Sequence, residues 1–237
     1  MAVALYKAKL SEKTLLGGKF MFIKLELFEP NKIAFEAGQY ILLNTPITPQ
    51  KRQYSIVSAP RMEHAIELLV EIIPDGKASG YLNSIDPGTE VDFYAPAGEF
   101  TIKPEVQASQ DPLVLIGTGS GVAPLRAMVL DQLRTKETKR PIWLYWGMRH
   151  ADELFWLQEL EELHDNFPNF TYHLVLSQAP DEWTLCRGRV TDCLSVHTIP
   201  ENAHYYICGN PHMIEDVMKT LATRGIDPNR VHHEKFS

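Results

Sequence analysis

Four short stretches hold the residues whose types and spacing could do chemistry. RQYS (Arg52–Ser55) sets a cation, an aromatic ring and a hydroxyl on nearly adjacent positions of a strand-like run. GKAS (Gly76–Ser79) puts glycine and a hydroxyl at the start of a short helical pattern. GTGSGVAP (Gly117–Pro124) follows an apolar run and opens a helix, and CGNPHM (Cys208–Met213) does the same further on. A guanidinium suits phosphate oxygens. A glycine-rich turn lets backbone approach a ligand closely, and the helix start behind it turns free N–H groups and a dipole toward an anion. Each stretch also has an ordinary explanation. Ser79 could be a helix cap, Cys208 a buried small hydrophobe, Asn210 and Pro211 plain helix-start residues, and Arg149 a surface cation. GTGSGVAP departs from G-x-G-x-x-G, because Val122 stands at the third glycine position. Nor does an acidic residue follow the second strand at the ribose position; Arg149, in YWGMRHADELF, is there instead.

The elements that must position these residues fall into two halves. Residues 1–104 read as short strands at Leu5–Leu10, Phe20–Phe28, Gln39–Asn44, Gln53–Val57, Ile66–Ile73 and Glu90–Tyr94, separated by Gly, Pro and Asn turns. That spacing predicts a small antiparallel β-barrel, with Gly76–Ile85 as one short helix. Residues 105–237 alternate strand and helix. Apolar runs PLVLIG, PIWLYWG, TYHLVLS, HYYICG and VHHEKF are separated by helical patterns at Ala123–Lys136, Ala151–Asn166, Val190–Val196 and Pro211–Arg224. Leu154, Leu157, Leu160 and Leu163 recur every three residues on the second of these. This is the pattern of a five-stranded parallel α/β sheet, whose ligands bind beyond the carboxyl ends of its strands. The polar stretch Lys103–Asp111 marks the boundary.

Composition closes off other classes. The formal net charge of -7 argues against a nucleic-acid partner. Residues 1–104 hold 11 basic and 12 acidic residues and residues 105–237 hold 12 and 18, so neither half is basic. No run is long and apolar enough to span a bilayer, and the N-terminus lacks the basic start of a signal peptide, so membrane insertion is not expected and a cytoplasmic location is. The cysteines, Cys186, Cys193 and Cys208, form no CxxC, and no disulfide or iron–sulfur framework is legible. The nine histidines show no zinc spacing, so no metal is expected.

Taken in order, RQYS, GKAS, GTGSGVAP and CGNPHM resemble the ferredoxin–NADP reductase family, flavoproteins with an FAD-binding barrel and a nicotinamide-dinucleotide domain. The likeness runs from FEAGQY (Phe35–Tyr40) to EKF near the C-terminus, and PDGKAS and CGNPHM look especially like the bacterial ferredoxin and flavodoxin reductases. It implies an FAD-binding domain over 1–104 and an NAD(P)-binding domain over 105–237. By resemblance, Arg52 would pair with the FAD pyrophosphate and Tyr54 would lie against the ring or ribityl chain, next to Gln53. Ser55 would hydrogen-bond flavin N5, and Ile56 and Val57 would follow the ribityl and phosphate portion with their backbone. Gly76, Lys77, Ala78 and Ser79 would take the pyrophosphate at their helix start. Gly117, Thr118, Gly119, Gly121 and Pro124, with Cys208, Gly209, Asn210 and Met213, would bind the pyrophosphate and nicotinamide of NAD(P)H, joined by Arg149. Cys208 would face the nicotinamide, Glu234 would stand near it, and Phe236 would shield the flavin. Ser55, Cys208 and Glu234 form the implied catalytic set.

The implied reaction is hydride transfer from NADPH or NADH to tightly bound FAD, with the electrons passed to a separate ferredoxin or flavodoxin. The cysteine count leaves no room for a fused iron–sulfur domain in this sequence. Ser177, Arg187 and Arg189 match positions that hold a 2′-phosphate in NADP-selective members, but Gln178 stands where those members place Arg; both nucleotides are carried, with NADPH favoured. Lys7, Lys9, Lys51 and Lys77 could offer an acidic carrier a basic patch. Two other readings stand beside this one. A free-flavin reductase would lack the pyrophosphate site that GKAS supplies, and a non-catalytic flavin- or nucleotide-binding module would not need the Ser55–Cys208–Glu234 set.

Overall fold

In a computed structural model, which describes residues 2–236, the chain divides into two compact units. One takes the chain up to Thr101 together with Arg126–Lys136. The other takes Ile102–Leu125 and the chain from Glu137 onward.

The first unit is an antiparallel six-stranded sheet. Its strands are β1 (Ala4–Leu16), β2 (Phe20–Glu29), β3 (Tyr40–Thr45), β4 (Thr48–Ser55), β5 (Ala65–Glu71) and β6 (Glu90–Ala97), with helix α1 (Lys77–Ser84) before β6. The order is β4-β3-β6-β1-β2-β5. Alternation makes the strands: Tyr6, Ala8 and Leu10 on β1 and Met21, Ile23, Leu25 and Leu27 on β2 are buried, while Lys7, Lys9, Lys24 and Glu26 are not. These residues join Ile41, Leu43, Ile66, Leu68, Val70, Leu82 and Phe93 in one core. The sheet curls until its two end strands approach, and a single bridge, Ile56 to Leu68, links them at one end. Most of β4 is left as an open edge, with Pro49–Gln53 exposed.

Between the expected strands Gln39–Asn44 and Gln53–Val57 the turn is shorter than their spacing implies. The Thr48–Lys51 segment belongs to β4, and only Pro46 and Ile47 make the turn from β3. Pro49 is tolerated because an edge strand has a row of amides that pair with nothing.

The second unit is a parallel sheet. After the short helix α2 (Pro104–Ser109) come β7 (Leu113–Thr118), α3 (Val122–Leu130), β8 (Ile142–Met148), α4 (Leu157–Asn166), β9 (Phe170–Leu176), β10 (Cys186–Arg187), α5 (Val190–Val196), β11 (His204–Gly209), α6 (Pro211–Thr223) and β12 (Val231–Lys235). The body of α3, with the π-helical turn Asp131–Thr135 that ends it, groups with the first unit. The five expected strands are present, and a two-residue sixth, β10, is added at one edge. The polar stretch before β7 is helical at α2, started by Pro104.

The strand order is β10-β9-β8-β7-β11-β12. The chain works outward from β7 to β10, then returns to the other side of β7 with β11. The boundary between β7 and β11 is therefore the topological switch point, where open α/β sheets place their ligands. Residues Leu113–Gly117 of β7 are all buried, as a central parallel strand covered on both faces requires. Leu160 and Leu163 of α4 are buried, but Leu157 is 44% exposed and Leu154 precedes the helix, so the spacing of three marks half of that face.

Candidate functional site

In the first unit, β4 pairs with β3, setting Arg52 opposite Leu43, Gln53 opposite Leu42, Tyr54 opposite Ile41 and Ser55 opposite Tyr40. Exposure falls along the strand: Arg52 and Gln53 are exposed, Tyr54 is half-buried, Ser55 is buried. A cation, a ring and a hydroxyl are thus graded from solvent to core. Among the described residues, the Arg52 guanidinium hydrogen-bonds within its own strand, to Gln50 Oε1 at 3.0 Å and the Lys51 carbonyl at 3.4 Å. Gln53 Nε2 donates to the Tyr40 hydroxyl at 3.2 Å. Burial pushes the Tyr54 phenol up to about 12, against the pull of Arg52, so it stays protonated. Ser55 is 5% exposed, and among the described residues its hydroxyl has no hydrogen-bond partner. A free hydroxyl on a buried residue at the end of an open edge strand suits a ligand atom that needs one hydrogen bond.

Two readings change in detail. The Ser79 hydroxyl is turned inward, accepting from the Ile73 amide at 3.2 Å and donating to the Gly76 carbonyl at 3.3 Å. The anion site at α1 therefore reduces to the backbone N–H groups of Lys77, Ala78 and Ser79, which have no helical carbonyl to pair with. Gly76 has no room for a Cβ, which would lie 2.6 Å from Ser79 Oγ. The amides of Ile56 and Val57 are also taken, donating to the Gln39 and Glu67 carbonyls at 3.0 and 2.9 Å, and Arg126 Nη1 donates to the Val57 carbonyl at 2.9 Å. That leaves little of the Val57 backbone for a ligand.

In the second unit, the glycine-rich turn and CGNPHM meet at the switch point. Gly117 pairs with Cys208 across β7 and β11, and Cys208 pairs with Glu234 across β11 and β12. The three residues form one row over three strands. The loops beyond interlock at backbone distance. A Cβ on Gly121 would overlap the Cys208 carbonyl, and one on Gly209, at φ +144°, would lie 2.7 Å from Thr118 Oγ1 and 2.9 Å from Met213 Cε. Trp146 Nε1 donates to the Gly119 carbonyl at 3.2 Å and steadies the turn. Pro124 is buried in the first turns of α3. Asn210 caps α6, its Oδ1 accepting from the His212 amide at 2.9 Å. The Phe236 amide donates to the Gly209 carbonyl at 3.1 Å, tying the end of the chain to the same loop.

Charge in this row is unusual. Burial and the neighbouring Glu234 push the Cys208 thiol well up. Cys208 is therefore a neutral thiol, not a thiolate nucleophile. Burial alone raises Glu234 to about 7, and its Oε2 is buried without a partner. A lone carboxyl that exchanges its proton near neutral pH, beside a thiol at a ligand-binding edge, is a candidate for holding a polar ligand group.

The cations expected around a nucleotide are more dispersed. Arg149 is exposed at the end of β8, and Ser177 is exposed just past β9. The Arg187 guanidinium is committed to the carbonyls of Pro180, Asp181 and Trp183 at 2.7–2.9 Å. Arg189 is exposed and pairs with Asp216 at 3.3 Å. Lys7 and Lys9 are paired with Glu29 and Glu90 at 2.7 and 3.8 Å, and Lys51 lies 3.6 Å from the centre of the Tyr94 ring.

One cluster has no counterpart in the sequence reading. His173, Cys186, Cys193 and His197 converge, and Cys186 and Cys193 are joined as a disulfide, which corrects the expectation of none. The spacing hid it because the four residues come from two strands and a helix. The legible fragment was Cys193-x3-His197, one turn apart on an expected helix.

A curled antiparallel sheet followed by a parallel sheet with glycine-rich loops at its switch point is the architecture of a two-domain nucleotide-dependent oxidoreductase. The chain matches two family models, "Oxidoreductase FAD-binding domain" over residues 7–102 and "Oxidoreductase NAD-binding domain" over residues 115–219. It is 34% identical to the reductase component of an aromatic O-demethylase from Amycolatopsis sp., over 91% of this chain and 64% of that protein. It is 31% identical to the reductase component of a propane 2-monooxygenase from Mycolicibacterium smegmatis, over 91% of this chain and 63% of that protein. A crystal structure of an Amycolatopsis cytochrome P450 reductase superposes with a TM-score of 0.90 at 31% identity, covering 99% of this chain and 70% of that one. This chain belongs to the ferredoxin reductase-like flavoproteins, and it spans a little under two thirds of the length of the demethylase and monooxygenase reductases. Among the described residues, no helix is long and apolar enough to cross a membrane.

Proposed function

We propose that this chain takes hydride from a reduced nicotinamide dinucleotide onto bound FAD and passes the electrons to a separate acceptor protein. The observation that carries the reading is the row Gly117–Cys208–Glu234, which sets a neutral thiol and an unpartnered carboxyl side by side at the switch point. When bound, FAD supplies the redox chemistry, accepting two electrons as hydride and releasing them singly.

The chain's own residues bind and orient. Glu234 Oε2 accepts from a carboxamide N–H, which removes its buried deficit. Cys208, kept neutral, packs against a ring without reacting with it. Gly117, Thr118, Gly119 and Gly121 let a pyrophosphate approach the start of α3, where Pro124 is already built in, and Arg149, Gly209, Asn210 and Met213 border the same loops. In the first unit, Ser55 would donate its hydroxyl to a flavin ring nitrogen, Tyr54 and Gln53 would flank the ring, and Arg52 would hold the pyrophosphate. The N–H groups of Lys77, Ala78 and Ser79 would complete the phosphate site, and Ile56 would stand beside the ribityl chain.

The two arginines read for a 2′-phosphate support NADH over NADPH. Arg187 is spent on three carbonyls, Arg189 is paired with Asp216, and Gln178 stands where a third cation was required. The acceptor is a small electron carrier or oxygenase component, the setting that the Amycolatopsis demethylase and Mycolicibacterium monooxygenase relatives name.

The test is a visible spectrum of gel-filtered protein followed by stopped-flow reduction with NADH and NADPH. Retained flavin bands, FAD released on denaturation, and faster reduction by NADH are expected. Ser55→Ala should slow flavin reduction without changing FAD content. A colourless protein that oxidises NADH only when flavin is added would overturn the prosthetic-group reading in favour of free-flavin reduction. If Ser55→Ala and Cys208→Ala both left hydride transfer unchanged, the site assignment would fail.

A further inference from the structure

We infer that His173, Cys186, Cys193 and His197 form a tetrahedral site for one zinc ion. The four donor atoms lie within 4.8 Å of one another. A tetrahedron with Zn–N near 2.0–2.1 Å and Zn–S near 2.3 Å needs donor separations of about 3.3–3.8 Å. Cys186 Sγ and His197 Nε2 are already 3.4 Å apart, and the two imidazole centroids are 4.3 Å apart.

The backbone brings them together. Cys186 on β10 pairs with Val175 on β9, and His173 shares the Val175 face of that strand, two residues back. Cys193 and His197 lie one turn apart on α5 and its C-cap, so both face the same way. Helix α5 lays that side on the sheet, among Tyr145, Val175, Val190 and Leu194. Cys193 is 1% exposed, and the other three are half-buried.

The donor chemistry selects the metal. Two sulfurs and two imidazoles suit zinc and not the hard cations, which take oxygen. Four donors within 4.8 Å leave room for one ion rather than a two-iron cluster. Among the described residues, His173 makes no hydrogen bond that coordination would break. A cavity of about 400 Å³ has His197 in its wall.

The pair is bonded sulfur to sulfur in this structure, and the same two sulfurs cannot serve both roles. Two equivalents of a low-molecular-weight thiol convert the disulfide to two cysteine thiols and become one disulfide themselves. Zinc then displaces both thiol protons to solvent. The metal would staple β10 and α5 to β9, and with them the segment that carries Arg187 and Arg189.

The test reduces the full-length protein with a phosphine, strips it with a chelating resin, adds zinc, and measures metal and iron after gel filtration. One zinc per chain is expected, with His64→Gln, in the first unit, unchanged. Cys186→Ser and His197→Gln, both at half-buried positions, should each lower affinity more than about tenfold, with circular dichroism and flavin content unchanged. Cobalt in place of zinc should give the visible bands and the sulfur-to-metal charge transfer of a tetrahedral thiolate site. No zinc on the reduced protein, zinc retained by both variants, or iron with sulfide in its place would each overturn the assignment.

Discussion

Replacing Glu234 with Gln tests the electrostatics of the second unit directly. Burial raises the carboxyl from 4.5 to about 7. A folded-state pKa above the unfolded one means that the folded chain holds the proton more tightly. Below about pH 4.5 both states are protonated and the carboxyl adds no pH dependence. Between pH 4.5 and 7 the unfolded chain has released its proton and the folded chain has not, so stability falls as pH rises, and above 7 the loss is complete. At about 1.4 kcal/mol per pKa unit, the full loss is about 3.4 kcal/mol; partial exposure of the side chain reduces it to roughly 2–3 kcal/mol. Gln keeps the shape and cannot ionise. All four tryptophans, Trp143, Trp146, Trp156 and Trp183, lie in the unit that contains Glu234, so their fluorescence follows its unfolding. Flavin-free wild type should lose about 5–10 °C of melting temperature between pH 5 and 8 relative to Glu234→Gln, at roughly 2–4 °C per kcal/mol for a chain of this size. Cys208 stays neutral across this range and adds nothing. Melting profiles that run parallel from pH 5 to 8 would refute the argument that the carboxyl is buried and unpaired.

Three further outcomes follow from contacts already described. Arg52→Ala breaks only exposed contacts within β4, so stability should change by less than about 0.5 kcal/mol, while FAD affinity, measured by fluorescence titration, should fall about tenfold or more. Gly121→Ala drives a methyl into the Cys208 carbonyl, and the loops must part. The second unit should lose about 1–3 kcal/mol in urea unfolding, with a raised KM for the nicotinamide substrate. Arg126→Ala leaves Glu67, 15% exposed and 3.3 Å from the lost guanidinium, without that charge partner; removing one member of a largely buried ion pair costs about 3–5 kcal/mol. An unchanged denaturation midpoint would mean that solvent screens the pair.

Much of this architecture was legible because two periodicities differ. Lys7 and Lys9 alternate with Tyr6, Ala8 and Leu10, so β1 announced itself, and the unbroken LVLIG of β7 announced a strand buried on both faces. The π-helical turn at Asp131–Thr135 and the grouping of Arg126–Lys136 with the first unit were not legible, since a helix of nine apolar-rich residues says nothing about which sheet it will join. Pro49 misled, because a proline reads as a turn unless the strand is known to be an edge. Within the site, the motifs marked their loops, but side-chain direction was hidden. Ser79 turns inward only because Ile73 leaves an amide for it, and Glu234 loses its partners only because β12 lays it beside Cys208. Of the histidine–cysteine cluster only Cys193-x3-His197 was legible, as its four members meet through the pairing of β9 with β10 and the seat of α5.

The open edge of β4 has a cost unrelated to electron transfer. A row of unpaired amides and carbonyls is a template on which another chain can add a strand. Pro49 interrupts the donors, and Lys51 and Arg52 place two like charges on the exposed run. The positions suited to an anionic ligand are therefore also those that keep two copies of the protein from zipping together. Making all three apolar and β-branched would leave a flavin-free chain that self-associates, and a filled site would compete with that self-association.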